Sequence, residues 1–161
     1  MDELDLLKRD LLMETQRCVE LFNSQIFTNR SIFTKSAFIE VLIHLNYILQ
    51  KLSKKNNRIV WDDDIQNTQD TKDITDLVNK LRNAACHSDS DENYISDTAV
   101  KSVFNVVYGV CHNSIVIGDT GALRNDYKDD IAFYYGDKRI YLIRHIERLL
   151  EELPDKISNL V

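Results

Sequence analysis

Near the middle of the chain, Arg82-Asn83-Ala84-Ala85-Cys86-His87 gathers a guanidinium, an amide and an imidazole into one short segment. These residue types can act on a phosphodiester. Histidine has an unperturbed pKa of about 6.5, so it can give or take a proton near neutrality. Arginine stays charged, and its planar donors match phosphate oxygens. RNA carries its own nucleophile, the 2′-hydroxyl, so this set requires no metal.

The residues before the segment say how it is presented. Ile74, Leu77, Val78, Leu81 and Ala85 recur at the spacing of a buried helical stripe. They predict a helix over about 72–87, begun by Asp70 or Thr71. At about 100° per residue, Asp76, Lys80, Asn83 and His87 fall in the opposite arc, with Arg82 on the flank. Asn83 lies one turn before His87, where its amide can orient the imidazole or contact phosphate. Arg82 and His87 are about 140° apart on an ideal helix, so one copy makes a poor complete site. Two copies across a two-fold axis would bring two arginines and two histidines into one cleft.

Arg82-Asn83-x-x-x-His87 at a helix end resembles the R-N-x-x-x-H form of the R-x4–6-H motif of the HEPN superfamily, whose members are small helical domains. Residue-level likeness is confined to the motif, while the helical plan extends over most of the chain. The resemblance implies a metal-independent endoribonuclease of toxin or antiviral defence type, with Arg82, Asn83 and His87 catalytic. It further implies a homodimer with a shared site, products with cyclic-phosphate ends, and a cognate antitoxin or regulatory protein as a partner. In some such toxins a tyrosine two residues after the histidine is modified by the antitoxin; that position here is Asp89, and the nearest tyrosine is Tyr94. Arg139 and His145 fit the looser pattern but straddle an expected strand–helix junction.

A second reading competes. Arg82 could pair with Asp76 or Asp89, and His87 could be a polar helix end favoured by the dipole. The chain would then be a non-catalytic binding or regulatory module: an antitoxin, a nucleotide sensor or a scaffold subunit. The turn Ser88-Asp89-Ser90-Asp91-Glu92-Asn93 directly after His87 is acidic and would repel phosphate. Lys51, Lys54, Lys55 and Arg58 form a basic run that ends at Asp62-Asp63-Asp64. It reads either as a solvated loop or as a rail for an RNA backbone. His44 lies off its helix's core stripe and reads as a surface or interface histidine. Cys86-His87 and Cys111-His112 are adjacent pairs with poor zinc geometry, so neither metal nor cofactor is expected.

The surrounding plan is helical. The 161 residues include one proline and four glycines, and the net charge of −6 argues against a general nucleic-acid binder but not against a local basic groove. Apolar periodicity predicts helices over about 3–24, 35–53, 72–87, 98–113 and 142–153, with Pro154 ending the last. The fourth takes Ser96 or Asp97 as its cap and Val100, Val103, Phe104, Val107 and Cys111 as its inner face. The first takes Leu4, Leu7, Leu11, Cys18 and Leu21 inward, with Leu12 and Phe22 beside them, and Thr34 or Ser36 caps the second. Residues 114–129, with Gly118 and Gly121, read as irregular. β-prone runs around Gly136-Asp137 predict a hairpin over about 131–141. The expected architecture is thus mainly α: a HEPN-like bundle of about five helices with a small hairpin before the last, one domain over 1–154 and a tail over 155–161. The acidic start and the lack of any long apolar run predict a cytoplasmic chain that does not enter membranes.

Overall fold

The computed structural model describes residues 2–96, 98–117 and 121–161. Among the described residues, four α-helices combine with two antiparallel sheets. Helix α1 (Glu3–Asn23) opens on a capping box in which Asp2 and Asp5 each accept the other's backbone N–H. It buries Leu11, Thr15 and Cys18, while Leu4, Leu7, Leu21 and Phe22 pack at the core's edge and Leu12 is exposed. Helix α2 (Thr34–Lys54) is the hub, with α1 and α3 (Ile74–Cys86) packed on it. Its stripe Phe38, Val41, Leu42, Leu45, Ile48, Leu49 and Leu52 is wholly buried, as the periodicity requires. Neither expected cap operates: Phe33 holds the N-cap position without a side-chain bond, and the Thr34 hydroxyl donates instead to the Ile26 carbonyl.

The fourth predicted helix is absent. That stretch carries the extended segments β1 (Asn105–Tyr108) and β2 (Cys111–Ile117). Val106, Val107 and Tyr108 are β-prone, and their partners on β4 (Ile131–Tyr135) lie far along the chain: Val106 faces Phe133 and Val107 faces Ala132. Strand β2 pairs with β3 (Gly121–Asn125), within the stretch read as irregular. Asp97 and Gly118 lie outside the described residues. The predicted hairpin is present as β4 and β5 (Lys138–Tyr141), giving a three-stranded sheet of order β1-β4-β5. All five residues of β4 are buried. Phe133 stacks on Phe38 at 4.5 Å between ring centres, which joins sheet to helices.

Gly136 turns the hairpin at φ +58°, and a Cβ there would lie 2.5 Å from the Tyr94 carbonyl oxygen. Only glycine lets the turn approach the segment after α3 so closely. Beyond β5 the chain widens into one π-helical stretch, Leu142–Glu147, and runs on as α4 (Arg148–Ser158). Pro154 sits inside α4 rather than ending it, and residues 155–161 are no loose tail: Ile157 and Leu160 are buried. Among the described residues, no helix is long and apolar enough to cross a membrane.

Candidate functional site

Helix α3 is fixed at both ends. At its start the Asp73 carboxylate accepts the Asp76 N–H at 2.9 Å, a side-chain N-cap. Arg58 clasps that cap, donating to Asp73 at 2.8 and 2.9 Å and to Asp76 at 2.5 Å. Ile74, Leu77, Val78 and Leu81 are buried as the stripe predicts, but Ala84, not Ala85, is the buried alanine. At its end the fully buried Asn93 donates from one amide nitrogen to the carbonyls of Ala84 (3.1 Å) and His87 (3.0 Å). A helix leaves its last carbonyls without partners; here a side chain from the following turn supplies donors. Asn93 went unnoticed in the sequence because an asparagine in a turn has a sufficient local explanation.

His87 is the C-cap. Its N–H donates to the Asn83 carbonyl, its backbone is extended (φ −127°, ψ 105°), and its side chain is exposed. Arg82 is half-buried and donates to the Asn83 amide oxygen at 3.2 Å; among the described residues it makes no ion pair. Asp76, one of its expected partners, is held by Arg58. Asn83 therefore steers the guanidinium rather than the imidazole. Its own amide continues a ladder through Asn79 (3.4 Å) to Asn46 on α2 (3.1 Å).

The acidic turn is partly neutralised. Glu92 bridges Lys80 (2.7 Å) and Lys138 (2.9 Å), and Lys101 donates to the Ser88 carbonyl at 2.6 Å. Burial works against ionised Glu92, but the two ammonium groups outweigh it and hold its pKa below the ordinary value. Asp89 and Asp91 remain exposed.

The basic run does not join this site. Arg58 is consumed by Asp73 and Asp76 at the start of α3, roughly 20 Å along the helix from His87. Lys51 lies over the Tyr47 ring (5.3 Å), and Lys54 and Lys55 are exposed where α2 ends, beside that same start of α3. Their charge favours the helix's C-terminal dipole. His44 links α1 to α2 through Glu14 and approaches Glu40 at 3.6 Å. His145 is a structural core residue: Nδ1 accepts the Tyr141 N–H at 3.1 Å and Nε2 donates to the Asp63 carbonyl at 2.9 Å.

At the other end of α2 lies a broad cleft of about 510 Å³, walled by Arg30, Lys35, Phe104 and Tyr108. The sequence hid it, because Arg30 fell in an aperiodic connection and Phe104 and Tyr108 in a presumed helix. No family model, curated protein or solved structure matches the chain.

Proposed function

We propose that this chain is a metal-independent endoribonuclease of HEPN type, a toxin or antiviral effector whose site is completed by a second copy. The observation that carries the reading is an arginine with no carboxylate partner among the described residues, beside an exposed histidine at a clamped helix end. In the proposed reaction His87 takes the proton of a 2′-hydroxyl, whose oxygen attacks phosphorus. The bond from phosphorus to the 5′-oxygen breaks, and a proton reaches that oxygen from the histidine of the second copy. The products are a 2′,3′-cyclic phosphate and a 5′-hydroxyl. Arg82 donates to the phosphoryl oxygens, whose charge rises as the bonds change. Asn83, which holds Arg82, is a positioning residue.

His87→Ala should lower cleavage of single-stranded RNA by about 10²–10⁴-fold, the usual contribution of a general acid or base. Arg82→Ala should cost about 10²–10³-fold. Both variants should keep the wild-type circular dichroism spectrum, and a chelator should leave wild-type activity unchanged. Undiminished cleavage by purified His87→Ala, or a strict monomer in light scattering, would end this reading. The competing reading, a non-catalytic binding module with the same fold, draws on Asp89 and Asp91 standing exposed beside His87. It predicts no cleavage by wild-type protein and no toxicity on expression.

A further inference from the structure

The cleft at the start of α2 combines features that fit one kind of ligand. The chain carries a net charge of −6, yet none of the residues lining the cleft is acidic and two, Arg30 and Lys35, are cationic. Among the described residues neither makes an ion pair. Arg30 instead lies over the Tyr108 ring at 4.7 Å, a stacking that holds the guanidinium plane while leaving its N–H donors for a ligand. Phe104 also lines the cleft. Arg30 and Phe104 both sit in the left-handed region at φ +50°. Bulky residues seldom adopt that conformation, and such strain gathers at binding sites. Ile32 and Phe33, 89% and 61% exposed, extend the apolar rim.

The cleft also lies at the motif's end of α3. Phe104 packs on Tyr135 at 5.7 Å between ring centres, Tyr135 stacks on Phe38 near the start of α2, and Tyr135 precedes Gly136, whose turn presses on the segment after His87. Aromatic faces for bases and cations for phosphates form the pattern of a single-strand binding platform. An apolar protein partner would leave Arg30 and Lys35 desolvated without counter-charges; a nucleic acid strand supplies those charges.

We infer that the Arg30–Lys35–Phe104–Tyr108 cleft binds a single-stranded RNA segment beside the scissile linkage. This inference rests on the nuclease reading for its choice of RNA, and its test separates the two. Binding of a short 5′-fluorescein oligouridylate is followed by anisotropy in the His87→Ala background, so that no turnover intervenes. Arg30→Glu with Lys35→Glu should weaken binding at least tenfold. The slope of log affinity against log salt should fall by about 1.4, two phosphate contacts at roughly 0.7 each. Between about 50 and 200 mM salt those two contacts alone account for about a sevenfold loss. Should the double variant misfold by circular dichroism, Arg30→Gln alone should lower the slope by about 0.7. Unlabelled strand should displace the probe where AMP does not; equal displacement by AMP would assign the cleft to a free nucleotide and overturn the strand. Unchanged affinity and slope in the variants would also overturn it, as would a change in oligomeric state without a change in RNA binding. If His87→Ala abolishes cleavage while the cleft variants bind as their parent does, only the cleft inference fails. If His87→Ala still cleaves while the cleft variants lose RNA, only the nuclease reading fails.

Discussion

Tyr135→Phe should make the protein more stable. The side chain is 1% exposed, and its hydroxyl has no hydrogen-bond partner among the described residues. Burial, followed by the effect of Cys86, pushes its pKa up to about 12. Leaving a buried hydroxyl unpaired costs about 1–3 kcal/mol, because its bond to water in the unfolded chain is not replaced. Phenylalanine removes that cost and keeps the ring's packing on Phe38 and Phe104. It forfeits only the oxygen's dispersion contacts, at about 0.1–0.2 kcal/mol each. The net gain is about 1–2 kcal/mol, and Tm should rise by roughly 2–4 °C per kcal/mol in a chain of this size. Urea unfolding with an unchanged m-value, together with calorimetry, measures it. A loss of more than about 0.5 kcal/mol would refute the reasoning, because the hydroxyl must then be paired in solution. A double-mutant cycle with Cys86→Ala would show whether the thiol is that partner.

Arg58→Ala should leave RNA affinity unchanged and lower stability by about 1–2 kcal/mol; its charged hydrogen bonds are discounted because the arginine side chain is 34% exposed. Weakened RNA binding at unchanged stability would restore the rail. His145 has its pKa lowered from 6.5, chiefly by burial, so the unfolded chain binds a proton more readily than the folded one just below that pH. Its contribution is therefore fully present above pH 6.5 and lost as pH falls toward the folded value. Urea midpoints should drop over that window in wild type and less in His145→Gln; parallel profiles would disprove the assignment. Deleting residues 155–161 should cost about 3–6 kcal/mol, since Ile157 and Leu160 are buried and each such side chain contributes about 1.5–3. An unchanged denaturation midpoint would show that the segment is dispensable.

Elements governed by local pattern were legible in the sequence. The α2 stripe, the Gly136 turn and the outward placement of His87 follow from periodicity and one glycine. Elements governed by pairing were not. Val100, Val103, Phe104, Val107 and Cys111 fit a helical stripe, yet a stretch so rich in β-branched residues gains more by laddering onto β4, whose partners a local reading cannot supply. Pro154 forfeits a helical hydrogen bond at a cost of about 3 kcal/mol, and burial of Leu153, Ile157 and Leu160 around it outweighs that. The partners of the basic run were hidden for the same reason. Arg58 looked free for phosphate because Asp73 and Asp76, its partners, lie fifteen and eighteen residues away.

The end of α3 joins a fixed backbone to an exposed side chain. Asn93 clasps two terminal carbonyls, and Gly136 presses the hairpin turn against the segment after them. Glu92, between those two contacts, is tied to α3 by Lys80 and to β5 by Lys138. A helix terminus usually frays; this one is held from the turn, the hairpin and its own helix, while the side chains of Cys86, His87, Ser88 and Asp89 stay exposed. On the proposed nuclease reading, this fixed main chain holds His87 in place, where a misplacement of about 1 Å can cost about a hundredfold in rate. Asn93→Ala should therefore reduce cleavage even where His87 and Arg82 are intact, and it should do so through kcat rather than KM.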